Sequence, residues 1–136
     1  MLRKKYIDEL VEVSLVTLGK EGALIGSHGQ FYSVPAEGGK PVDTTGAGDN
    51  FAAGFLYGQS IGASLVQSAR IGSMLAGYVI DVVGPEIPYD KWEQIKLKVK
   101  GILADEGFPP SDEDLRCKTL PCMCYLGFAV FQITYI

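Results

Sequence analysis

"VDTTGAGDNFAAGF", residues 42–55, sets two threonines, two glycines and two aspartates between positions 42 and 49 and then runs into helical spacing. A helix begins with backbone N–H groups that have no partner inside the helix, and its dipole places partial positive charge there. Glycines ahead of it let the chain bend so that those groups converge. The bend is an anion site, with Gly46, Ala47 and Gly48 as the converging amides and Thr44 and Thr45 adding hydroxyl donors. Asp49 needs a separate job, because a carboxylate pointing into an anion pocket repels phosphate. One job is structural: aspartate is a favoured helix N-cap, worth about 1 kcal/mol. The other is chemical: a carboxylate there can take a proton from a substrate hydroxyl while the amides hold charge on a transferring phosphoryl group. Phosphate binding without catalysis is a third reading, and the local pattern leaves all three open.

Two other phosphate loops are excluded. A Walker loop needs GxxxxGK followed by Ser or Thr, whereas Gly19-Lys20 is followed by Glu21. A dinucleotide fingerprint needs GxGxxG, and Gly46-Ala47-Gly48 is followed by Asp49, Asn50 and Phe51.

Upstream of the motif, VSLVTL (residues 13–18) is rich in β-branched and apolar types and stops at Gly19, which predicts a buried strand of the parallel-sheet kind. Two short strands, 23–26 and 30–34, flank Ser27-His28-Gly29 as a hairpin. PAEGGKP (35–41) is loop by its punctuation. Downstream, Asp49 to Ser60 carries Phe51, Phe55 and Leu56 on one helical face. Gly54, Gly58 and Gly62 recur every four residues; each interior glycine costs on the order of 1 kcal/mol against alanine, so the helix needs close approach of another backbone or a ligand. A frayed helix end accounts for Gly58 and Gly62 as well. Ser64 caps a second helix to about Val82, with Leu65, Ala69, Gly72, Leu75, Ala76, Val79 and Val83 on its apolar face. Gly84-Pro85 ends it. A third helix runs from Tyr89 to Leu103, with Trp92, Ile95, Val99, Ile102 and Leu103 at helical spacing.

The 136 residues allow one domain with a core. A net charge of -4, with no basic cluster beyond Arg3-Lys4-Lys5, excludes a nucleic-acid footprint and favours a small-molecule partner. Cys117, Cys122 and Cys124 crowd one end in odd number, which makes no disulfide framework, and a single histidine, His28, argues against zinc. A reducing cytoplasm fits. Asp8, Glu9 and Glu12 interrupt any signal-peptide core after the basic start. Residues 119–136 carry no charge and just reach the length of a membrane span, but Pro121, Gly127 and Gln132 favour a strand or an irregular tail instead.

DTTGAGDNFAAGF closely resembles the C-terminal signature of the ribokinase-like (PfkB-type) family of sugar and nucleoside kinases. VTLGKEGALI (16–25), GFLYG, GSMLAGYVIDVVG and YDKWEQI follow in the family's order, so the similarity spans roughly residues 5 to 103. The resemblance implies an α/β fold, the C-terminal part of a ribokinase-like, Rossmann-type three-layer fold in truncated form. Residues 1–107 would be the ATP-binding and catalytic portion and 108–136 an atypical tail. It also implies ATP-dependent phosphorylation of an alcohol on a sugar or nucleoside, with Mg2+. Asp49 would be the catalytic base, and Gly46, Ala47 and Gly48 the anion hole. Thr17, Gly19, Gly22, Thr45, Leu75 and Val79 would lie along the nucleotide. Family members often bind a monovalent cation such as K+, here through Asp43, Thr45 and carbonyls between Val79 and Gly84. The resemblance leaves assembly open, a homodimer being one form it allows. The family's N-x-x-E motif is absent, since Asn50 is the only asparagine. Its acceptor-binding residues and lid belong to an N-terminal half with no counterpart in this sequence, which leaves an inactive nucleotide-binding or interaction module as the alternative.

Overall fold

The computed structural model describes residues 12–105 and 133–135. The expected boundary at residue 107, the basic start, the three cysteines and the uncharged run, apart from 133–135, lie outside those residues.

Three strands form a meander: β1 (Val13–Thr17), β2 (Ala23–Ser27) and β3 (Gln30–Val34), each antiparallel to the next. The β2–β3 turn places His28 at φ 49° and Gly29 at φ 80°. Two successive positive φ values match the right-handed twist of the flanking strands, which is why the chain reverses there. A fourth strand, β4 (Ile133–Tyr135), pairs parallel to β1 in the order β3-β2-β1-β4, with Leu15 opposite Ile133. The expectation of a parallel-sheet strand therefore holds only on one edge of β1. Its other edge is antiparallel, because the glycine turn after Leu18 is too short for a crossover.

Three helices follow: α1 (Ala47–Ser60), α2 (Leu65–Ile80) and α3 (Trp92–Ala104), the last entered through a 3-10 turn at Tyr89–Lys91. Leu15, Ala23, Ile25 and Val34 form the core face of the sheet, and Phe51 and Phe55 of α1 meet them together with Leu65, Val66 and Ala69 of α2. Phe55 is 1% exposed, and burying such a ring contributes about 1.5–3 kcal/mol. A different side of α2 supplies Ile71, Met74 and Leu75 to a second cluster with Ile95 and Ile102 of α3. Helix α2 is thus shared between the two cores.

The spaced glycines divide by environment. A Cβ on Gly54 would fall 2.8 Å from the Gly72 Cα, and one on Gly58 would fall 2.7 Å from the Ser68 Cα. Both let α1 and α2 approach backbone to backbone. Gly62 instead sits at φ 78° just beyond the helix. Its amide donates to the Gln59 carbonyl at 3.1 Å, and the Ala63 amide donates to the Gly58 carbonyl at 2.9 Å, completing a Schellman ending. Gly58 is therefore a packing residue rather than a frayed end.

Ser64 caps α2 as expected: its Oγ accepts from the Gln67 amide at 3.2 Å while Gln67 Oε1 accepts from the Ser64 amide at 3.0 Å. The helix ends at Ile80, two residues short of expectation, and Val83 is 84% exposed instead of lying on the apolar face. The Asp81 and Val82 amides both turn back to the Val79 carbonyl, and Gly84 at φ 90° followed by Pro85 carries the chain away.

Candidate functional site

The loop ahead of α1 is tied down at both ends. The Val42 and Asp43 amides both donate to the Ile80 carbonyl, at 2.8 and 3.2 Å, so residues 42–43 lie against the C-terminus of α2. Asp43 then folds the loop on itself: Oδ1 accepts from the Thr45 amide at 2.9 Å and from the Thr45 hydroxyl at 2.7 Å. Its Oδ2 accepts from the Gly84 amide at 3.0 Å. The Thr45 hydroxyl, then the Thr45 amide and the Gly84 amide hold the Asp43 carboxyl below the ordinary carboxylate range.

Gly46 is the pivot. It occupies the N-cap of α1 in the left-handed region, φ 78° and ψ 1°, with no side-chain cap. Few other residues adopt that conformation readily, and a Cβ there would also stand 2.8 Å from the Pro85 Cβ. The Gly46 carbonyl accepts the Asn50 amide at 2.9 Å and the Asn50 Nδ2 at 3.0 Å, and Nδ2 reaches the Pro85 carbonyl at 3.3 Å. Asn50 is a residue the sequence reading passed over. Side chains on a helix lean toward its N-terminus, so an amide four residues after an uncapped glycine was the available signal.

The first turn leaves open donors. The Ala47 amide is taken by the Thr44 carbonyl at 3.2 Å. The Gly46, Gly48 and Asp49 amides have no acceptor among the described residues. The open amides are therefore those of Gly46, Gly48 and Asp49, with Asp49 in place of Ala47 in the expected trio. Thr45 already gives its hydroxyl proton to Asp43, which leaves Thr44 as the threonine donor.

Asp49 is not the N-cap. The left-handed Gly46 turns the chain into the helix early, so Asp49 falls at the third helical position, exposed and without a side-chain partner among the described residues. A carboxylate in the first turn still favours the helix dipole.

The remaining predicted site residues lie in and just after β1 and on α2. Thr17 ends β1 opposite Ala23 and Tyr135, and Gly19 opens a short 3-10 turn at φ 57° with nothing crowding it among the described residues. Gly22 has a packing reason of its own, since a Cβ would lie 2.7 Å from the Ala36 nitrogen. Leu75 packs between α2 and α3, and Val79 is 0% exposed, so both side chains face the interior. Among the described residues, no three His, Cys, Asp or Glu side chains are grouped to hold a metal, and no helix is long and apolar enough to cross a membrane.

A meander sheet backed by two close-packed helices thus carries an uncapped glycine entry with an exposed carboxylate beside open amides. Residues 2–92 match the pfkB family of carbohydrate kinases, and the chain belongs to that family. The ribokinase of Lactococcus lactis is 34% identical over 97 residues, which cover 71% of this chain and 31% of that protein. Among solved structures, a probable sugar kinase from Rhizobium etli superposes with a TM-score of 0.65 at 37% identity, covering 72% of this chain and 29% of that one. The adenosine kinase of Sinorhizobium meliloti does so with a TM-score of 0.64 at 33% identity, covering 70% and 29%. The described elements are therefore part of the ribokinase fold. The chain spans about a third of the length of these relatives.

Proposed function

We propose that the chain carries the phosphate-binding and proton-accepting part of an ATP-dependent kinase acting on an alcohol of a sugar or nucleoside. The observation that supports this most directly is the first turn of α1, where open Gly46, Gly48 and Asp49 amides lie beside the unpartnered Asp49 carboxylate. ATP supplies the phosphoryl group. The open amides suit its terminal oxygens, and their fixed direction stabilises charge as the phosphoryl group moves. The acceptor oxygen bonds to the γ-phosphorus, the bond to the bridging oxygen breaks, ADP leaves, and the acceptor proton passes to Asp49. Mg2+, an ion held mostly by phosphates and water, would be bound through the nucleotide and would neutralise charge on its phosphates. Relatives named for both sugars and adenosine leave the acceptor class at those two. A cytoplasmic setting agrees with the ATP requirement.

The test is Asp49→Asn, with ATP titrated by calorimetry and transfer to ribose, fructose and adenosine assayed alongside. Asparagine keeps the shape and the amide but accepts no proton, so ATP affinity is retained and transfer falls by about 10²–10⁴. Undiminished transfer in the variant sinks the base assignment. ATP binding with no transfer to any acceptor in the unaltered chain supports the inactive-module reading instead.

A further inference from the structure

Asp43 bridges two loops that are far apart in sequence, and both of its oxygens are met by donors of the chain itself. Thr45 gives an amide and a hydroxyl to Oδ1, and Gly84 gives an amide to Oδ2. The same loops meet again at Asn50, which joins the Gly46 and Pro85 carbonyls, and where Gly46 leaves no room for a Cβ against Pro85. A cage for a monovalent cation turns lone pairs inward. Here polarised N–H and O–H groups point at the carboxylate, and their positive ends oppose a cation sharing it. Gly84 faces Asp43 through its N–H, and the Val79 carbonyl is already taken by the Asp81 and Val82 amides. The Asp43 carboxylate and the Val79 carbonyl, two of the groups that the family resemblance implies for the cation, are thus already engaged by donors of the chain.

We infer that Asp43 is a positioning residue whose carboxylate clamps the 42–46 loop to the 81–85 loop through Thr45 and Gly84, so that the bend at Gly46 is held by the chain without a monovalent cation. The clamp replaces an external ion with three internal donors. Its consequence for ligand affinity rests on the phosphate reading of the α1 N-terminus, whereas the clamp itself does not.

Hydrogen exchange at the Thr45 and Gly84 amides of the full chain, in potassium, sodium and tetramethylammonium buffers, separates the two claims when ATP is titrated in the same buffers. The unaltered chain shows both amides protected equally in all three buffers. Asp43→Asn turns an amide NH2 toward one set of donors, which raises exchange at Thr45 or Gly84 and weakens ATP binding about tenfold, the scale of one lost hydrogen bond to a charged group. Thr45→Val, which keeps the backbone amide, gives a smaller loss in the same direction and serves if Asp43→Asn does not fold. Protection or ATP affinity that appears only with potassium would overturn the inference, as would unchanged exchange in Asp43→Asn. ATP binding absent in every buffer would refute the phosphate reading and leave the exchange result to decide the clamp.

Discussion

The two ends of α1 are built from the same residue types toward opposite ends. At its start, Gly46 and Gly48 have amides without an acceptor among the described residues, beside an exposed Asp49. Further along the helix, Gly54 and Gly58 lie against the α2 backbone, with Phe55 sealed between sheet and helices. Glycine is permissive at the first end because the chain must turn through a positive φ, and at the second because two helices must touch. One end holds the fold and the other is held by it. Substitutions should therefore separate stability from chemistry along a single helix.

Phe55→Ala should do the most damage, removing a buried ring and leaving a cavity for about 3–5 kcal/mol, read as a lower midpoint in urea or thermal unfolding. A loss under 1 kcal/mol would mean that the core collapses around the gap. Asp49→Asn is its complement at the open end. Transfer should fall by about 10²–10⁴ while the melting temperature stays near that of the unaltered chain, since the carboxylate makes no hydrogen bond or ion pair among the described residues. A large drop in melting temperature would show Asp49 to be a structural residue.

Gly54→Ala tests the closed end with the smallest possible addition. Alanine gains about 1 kcal/mol in helix propensity. Against this, its Cβ would stand 2.8 Å from the Gly72 Cα and 3.0 Å from the Ile71 carbonyl oxygen, both backbone atoms that cannot rotate away. Overpacking of this kind costs about 1–3 kcal/mol, so the net effect is destabilising. A stabilised variant would show that the α1–α2 contact is looser than described.

Much of this frame was legible in sequence because local chemistry decides it. His28-Gly29 had to turn and Ser64 had to cap. The misses share a cause, which is that they depend on partners distant in sequence. A cap was one of three readings open for Asp49 until Gly46, pinned by Pro85 and Asn50, proved to start the helix first. Val83 read as helical because nothing local shows the Asp81 and Val82 amides folding back to Val79. Asp43 takes the Gly84 amide, a partner 41 positions away that no spacing rule points to. Spacing shows which residues can share a face, but not which loops will be laid side by side.

Ser64→Ala isolates one of the local features. It removes the acceptor for the Gln67 amide and should cost about 1 kcal/mol. Gln67 has a second tie, because its Nε2 also donates to the Ile102 and Leu103 carbonyls at 3.3 and 3.4 Å. Gln67→Ala should therefore lose more than Ser64→Ala, and the double variant less than their sum, since the two share the capping box. Additive losses would mean that the reciprocal cap contributes nothing as a unit.

The smallest expected effect has the opposite sign and makes the argument about Gly54 sharper. Gly101 lies inside α3 without a positive φ, and no described atom stands within 4 Å of where its Cβ would be. Neither reason for glycine in α1 applies to it: no left-handed turn is required, and no backbone approaches. Gly101→Ala should then stabilise the chain by about 0.5–1 kcal/mol through helix propensity alone, raising the melting temperature by a few degrees. Opposite signs for the same substitution at Gly54 and Gly101 would establish that the α1 glycines are kept for contact. A loss at Gly101 would instead reveal a neighbour packed on that face of α3.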